Sequence, residues 1–141
     1  MKRYNKVFFL VQFFFYLVIG LSPFLNKLQA QIAIGKPSFP FTQICANPSF
    51  NTFDVNFSFT PTSGITASNQ FIVEMSDGNG SFAKPTVVYT SVAGALTTSP
   101  AKITFSVPVT TSGEAYRLRI RSTSPAATSQ LSNPFPAYYK P

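Results

Sequence analysis

Three arginines at alternate positions, Arg117, Arg119 and Arg121, are the densest chemistry-bearing feature of this sequence. Residues spaced by two share one face of a β-strand, with successive side chains about 7 Å apart. Three guanidinium groups in such a row could hold a carboxylate, a phosphate or a sulfated sugar. The ordinary alternative is a solvated face of an antiparallel sheet, its arginines paired with Glu74 or Asp54 on neighbouring strands. A second candidate is Asp77-Gly78-Asn79-Gly80, whose alternating side-chain oxygens look like the opening of a calcium loop. An EF-hand loop ends in a bidentate Glu at its twelfth position, and that position here is Val88. Asn-Gly is a strong hairpin signal, so the stretch reads as a turn. The third candidate is Phe135, Tyr138 and Tyr139, an aromatic platform for a sugar ring. The plainer reading packs Phe135 in a last strand and gives the two tyrosines to a linker.

Catalysis finds little to work with. The chain has no His and a single Cys. No Ser-His-Asp or Cys-His nucleophile system can be built, and zinc loses its commonest nitrogen ligand. Cys45 has no imidazole to activate it and reads as a small residue near a strand end. A lone Cys also excludes an intrachain disulfide. Glycosidase chemistry needs two carboxylates roughly 5 to 9.5 Å apart. Asp54 and Glu74 are the only cross-strand pair on offer, and nothing near them raises a pKa. The expectation is no enzyme, no cofactor and no metal.

The first thirty residues skew the composition. Lys2, Arg3 and Lys6 precede a fifteen-residue apolar run, Val7 to Leu21, broken only by Gln12. Ser22-Pro23 follows, and Leu28-Gln29-Ala30 offers a small residue for cleavage. This is the layout of a secretory signal peptide, a helix cut after Ala30. The run is shorter than the roughly 20 apolar residues that span a bilayer. Lys2, Arg3, Lys6 and Lys27 leave with it, so seven basic residues remain against four acidic ones. That balance gives no basis for nucleic-acid binding, which needs clustered phosphate contacts. Membrane contact is expected only through the signal, before cleavage.

The remaining residues alternate at period two. Phe53, Val55, Phe57 and Phe59 face one way, with Asp54, Asn56 and Ser58 between them. Phe71, Val73 and Met75 repeat the pattern, as do Ile103, Phe105 and Val107, then Tyr116, Leu118 and Ile120. Val87 to Val92 is β-branched and aromatic. Ile32 to Gly35 could begin an edge strand. Ser129 to Ala137 could close one, with Pro134 and Pro136 marking it as an edge. Turn clusters at Pro61 to Gly64, Asp77 to Gly80, Thr97 to Pro100 and Thr110 to Gly113 separate the runs. About seven short strands in roughly 110 residues predict an all-β chain, an immunoglobulin-like or fibronectin type III-like β-sandwich. The Cys-Trp-Cys signature of antibody domains is absent, which favours the fibronectin-like label. Gly113-Glu114-Ala115-Tyr116 resembles a tyrosine corner, with the Tyr116 hydroxyl tied to backbone near Thr110 to Ser112. The predicted organisation is a signal over 1–30, a sandwich over 31–137 and a tail or linker over 138–141.

Several stretches carry a resemblance. They are Gln43 to Asn47, Phe50 to Val55, Ser68-Asn69-Gln70-Phe71-Ile72-Val73-Glu74, Ser76 to Phe82, and Gly113 to Ser122. Together they resemble the N-terminal module of large surface proteins of Bacteroidota, many of them gliding-motility-associated. The likeness covers nearly all of residues 31–140. It implies a secreted or cell-surface adhesin and transfers no catalytic residues. Such proteins cross the outer membrane by type IX secretion through a C-terminal sorting domain, and nothing like one follows Tyr138-Tyr139-Lys140-Pro141. The expectation is therefore a piece of a longer adhesin, or a protein kept in the periplasm after crossing the inner membrane. The resulting function is a non-catalytic module acting as spacer or contact surface, its partners surface glycans or other surface proteins. The alternative is a carbohydrate- or anion-binding module using Arg117, Arg119 and Arg121.

Overall fold

The computed structural model describes residues 31–141, and the expected signal segment lies outside the described residues. In chain order the strands are β1 (Ala33–Ile34), β2 (Ile44–Ala46), β3 (Thr52–Phe57), β4 (Phe59–Thr60), β5 (Phe71–Met75) and β6 (Thr86–Thr90). They continue with β7 (Ala101–Ser106), β8 (Gly113–Tyr116), β9 (Leu118–Thr123), β10 (Ala126–Thr128) and β11 (Phe135–Tyr139). A short 3-10 turn, Thr62–Gly64, is the only helical element among the described residues.

These segments assemble into two layers. β4 continues β3 after Ser58; β1 pairs antiparallel with β4, and β3 pairs antiparallel with β7. The second layer runs from β6 through β5 and β9 to β10, and from β8 through β11 to β2. Arg117 joins β8 to β9, so both parts belong to one bent strand. The segment between β10 and β11 stays attached to β9, because Ser129 N–H donates to Ile120 O and Ser132 N–H to Leu118 O. This is the expected all-β sandwich. With β3 joined to β4 and β8 to β9, the eleven strands make nine continuous runs, more than the expected seven.

The alternation read from the sequence puts the expected side chains inside. Val55, Phe57, Phe59, Phe71, Val73, Met75, Ile103, Phe105, Val107, Leu118 and Ile120 are all buried. The layers meet through aromatic contacts: the Phe57 and Phe71 rings lie 5.1 Å apart, and Phe59 and Phe71 4.9 Å apart. Each such pair adds to the stabilisation from apolar area alone.

Two expectations need correction at the chain's end. β11 is not an edge strand, since β2 lies on one side of it and β8 on the other. Pro136 is tolerated there because the register with β8 shifts between Phe135 and Ala137, and pairing with β2 begins only at Ala137. The missing N–H thus falls where the ladder is already interrupted. Strand β11 also runs through Tyr139, so Tyr138 and Tyr139 belong to the sheet and do not start a linker.

Chain direction follows from register. Ala33 lies opposite Thr60, at the end of β4, while Lys140 N–H bonds Ala46 O beside the turn that leads into Thr52. The described chain therefore begins at one pole of the sandwich and leaves at the other. Thr52 to Thr60 separates the poles by about 26 Å at the usual strand rise.

Candidate functional site

The arginine face is built by β9 against β5. Register sets Arg119 opposite Glu74 and Arg121 opposite Ile72. Both arginines converge on the Glu74 carboxylate: Arg119 Nε lies 2.6 Å from Oε2, and Arg121 Nη1 lies 2.8 Å from Oε1. Glu74 points away from the core yet is only 3 % exposed. The Arg119 guanidinium also stacks over the Phe82 ring, 4.5 Å from its centroid, a favourable cation–π geometry. Arg117 takes a separate partner. Its Nη1 donates to Ser132 O at 2.9 Å, and its backbone N–H donates to Ser76 Oγ at 2.8 Å.

The row is consequently not three free cations. One carboxylate occupies two guanidinium groups, and the third is fixed to a carbonyl. Arg121, with 46 % of its side chain exposed, keeps the most donor capacity for an outside anion. Burial, the largest single influence on Glu74, pushes its carboxyl up. Hydrogen bonds from Arg121 and Arg119, with their charges, more than offset this and hold it below the ordinary 4.5.

A pH dependence follows. The unfolded chain binds the Glu74 proton more readily than the folded one. Its contribution to stability is complete above the unfolded value and is lost as pH falls through the folded value. Chemical denaturation is expected to show stability declining below about pH 4.5, and a Glu74→Gln variant should show a shallower decline over that window. Equal slopes would remove Glu74 from the account.

Asp54 joins neither role proposed for it. It lies on β3 in the other layer, where Lys102 Nζ is 3.2 Å away and the Thr104 hydroxyl donates at 2.6 Å. Those two partners, Thr104 first, hold it below its ordinary 3.8. Alternation gives a side chain's face but not its layer, which is why Asp54 and Glu74 looked like a pair. Among the described residues, no three His, Cys, Asp or Glu side chains come together to hold a metal ion.

Asp77 is occupied by its own turn. Its Oδ1 accepts the N–H groups of Asn79 and Ser81, at 3.0 and 2.8 Å, and Gly80 has φ +85°. That turn is docked on the tyrosine corner, with Ala115 N–H donating to Gly78 O at 2.9 Å. A Cβ on Gly113 would stand 2.8 Å from Gly78 Cα, so glycine is required for this approach. The Tyr116 hydroxyl donates to Ser112 O at 3.1 Å, as expected of the corner. Tyr116 closes β8 instead of opening a longer strand, and its ring lies against Phe135.

The aromatic platform does not form as proposed. Phe135 is 1 % exposed, in the core. Tyr138 and Tyr139 are exposed, and the Tyr138 hydroxyl lies 3.3 Å from Glu114 Oε2. Cys45 is half-buried on β2, opposite Tyr138. Sequence reasoning missed Phe82, whose partner is distant in sequence, and the Phe39–Phe41 stack at 4.3 Å. A shallow cleft beside that stack is lined by Lys36, Pro37, Ser38, Phe39 and Asn133.

No protein-family model and no curated protein matches the chain. Its functional reading rests on the geometry above.

Proposed function

We propose that the chain is a non-catalytic β-sandwich module of a secreted or cell-surface, adhesin-like protein, serving as spacer or contact surface. The observation that carries this reading is the placement of the two ends at opposite poles. A module traversed from pole to pole holds its amino-terminal pole a full module length away from anything attached beyond β11. The internal use of charge points the same way. Glu74 with Arg119 and Arg121, and Asp54 with Lys102, tie neighbouring strands of the same sheet. On this reading the protein passes the inner membrane by its N-terminal signal, and its partners are surface glycans or other surface proteins. Anion binding by Arg117, Arg119 and Arg121 is the weaker alternative, because two of those groups are committed to Glu74.

Small-angle scattering tests the spacer reading. Two copies of residues 31–141 joined head to tail are expected to give a rod whose longest dimension nearly doubles that of one copy. A compact particle, with the copies side by side, would contradict it.

A further inference from the structure

Asn79 and Gly80 form the only Asn-Gly pair of the sequence. A side-chain amide followed by glycine can react with its own backbone. The glycine nitrogen attacks the amide carbon, and with no Cβ on Gly80 nothing crowds the approach. The other five asparagines among the described residues are each hindered. Asn47 and Asn133 precede Pro48 and Pro134, whose nitrogens carry no proton to give up. Asn69 is 2 % exposed, and its Oδ1 holds three donors. Asn51 Nδ2 donates to Val107 O at 3.1 Å. Asn56 is held inside β3, between Ser38 on one side and Lys102 on the other. Asn79 alone is exposed at the tip of a turn.

That turn also restrains the reaction. The Gly80 N–H donates to Asp77 O at 3.0 Å, so the nitrogen that must attack is committed to another group. Asp77 Oδ1 accepts the N–H groups on either side of it, from Asn79 and Ser81, at 3.0 and 2.8 Å. The Asp77 N–H donates to Ser81 O at 2.9 Å. Asn79 and Gly80 can reach the reactive geometry only when this set of bonds loosens. Local openings of that kind occur in folded proteins at free energies from near zero up to that of global unfolding. Two of the bonds belong to the Asp77 carboxylate, which is exposed and can be removed without touching the core.

We propose that Asn79 is a self-modification site, converted to a carboxylate by the Gly80 nitrogen and water at a rate set by opening of the Asp77 turn. The Gly80 nitrogen loses its proton to base and forms a bond to Asn79 Cγ. The Cγ–Nδ2 bond breaks, and Nδ2 leaves as ammonia with a proton taken from water. Water then opens the five-membered imide. Breaking the new bond gives Asp at position 79; breaking the original peptide bond gives isoaspartate, with the chain running through Cβ and Cγ. One water enters and one ammonia leaves, with no oxidant or cofactor. Gly80 lies against Arg117, since a Cβ on it would stand 3.4 Å from Arg117 Nε. The new charge thus arises one residue from a cation, in a segment, 31–141, that holds only four acidic residues. This inference does not depend on the spacer reading.

Peptide mapping by mass spectrometry, on the full chain incubated at mildly alkaline pH, tests it. Conversion is expected at Asn79 ahead of the other described asparagines, giving Asp and isoaspartate together and quickening as pH rises. The folded chain should react about ten to a thousand times more slowly than the chain unfolded in guanidinium chloride. Asp77→Ala removes the two carboxylate bonds of the turn. It should raise the folded rate about tenfold while leaving the unfolded rate nearly unchanged. Equal rates in the folded and unfolded chains would overturn the proposal. So would a folded Asp77→Ala variant that reacts no faster than the parent. A folded chain that converts first at another described asparagine, or keeps Asn79 intact beyond that range, would overturn it too. The comparison of folded with unfolded chain uses the unaltered sequence and stands even if the variant fails to fold.

Discussion

Truncating Phe105 to Ala is expected to lower the unfolding free energy by about 3 to 5 kcal/mol. The ring lies on the inner face of β7, 1 % exposed, with Thr104 and Ser106 on either side pointing to solvent. Its strand partner is Phe53, whose ring centroid is 6.3 Å away. Removing the phenyl group takes away its transfer free energy and leaves a hole that two packed layers can close only in part. Urea denaturation followed by tyrosine fluorescence would measure the loss. A value under about 1 kcal/mol would mean the strand face is inverted, since a slip of one residue turns every side chain around.

Asn69→Ala is expected to cost on the order of 1 to 3 kcal/mol, although it removes only an amide group. Asn69 is 2 % exposed at the start of β5. Its Oδ1 accepts the backbone N–H groups of Thr123 and Ser124, at 3.0 and 2.8 Å, and the Ser122 hydroxyl at 3.0 Å. One oxygen therefore holds the top of β9 to β5 where the ladder ends. Without it, Ser124 N–H loses its acceptor, while Thr123 N–H keeps a bond to Gln70 O at 3.1 Å. Leaving the Ser124 donor unpaired costs more than an ordinary hydrogen bond contributes, while the Ser122 hydroxyl keeps Pro125 O as acceptor. Asn69→Asp retains the acceptor oxygen and serves as the comparison; if Ala and Asp variants were equally stable, the oxygen would not be the cause.

These two residues mark the limit of what the sequence makes legible. Phe105 sits in a local alternation, so six neighbouring letters suffice to put it inside. Tyr116 is legible for a related reason, because its acceptor at Ser112 is only four residues away. Asn69 offers no such signal: its three donors lie more than fifty residues downstream. The same holds for the serines beside β9. Ser129 and Ser132 accept the N–H groups of Ile120 and Leu118, at 2.9 and 2.8 Å, through their hydroxyls. They complete a ladder along a segment that forms no regular strand, and in the sequence they look like ordinary loop serines. The parallel pairing of β2 with β11 was hidden as well. Pro37 and Pro40 interrupt the approach to β2, and three residues are too few to show a period. For the arginine row, alternation brought Arg119 and Arg121 together on Glu74, a foreseeable partner, whereas Arg117 falls at the bend between β8 and β9 and bonds Ser132 O instead. That both guanidinium groups of Arg119 and Arg121 would share one carboxylate depended on strand register, which composition does not reveal.

The spacer role depends on where the chain enters and leaves the sandwich, and the distance between spin labels at Gln31 and Lys140 measures that most directly. Pulsed dipolar spectroscopy is expected to return a single narrow distribution centred at about 25 Å or more, the span of β3 and β4 at ordinary strand rise. A distribution centred near 15 Å or below, about half that span, would bring the two ends to one pole. It would contradict the spacer reading.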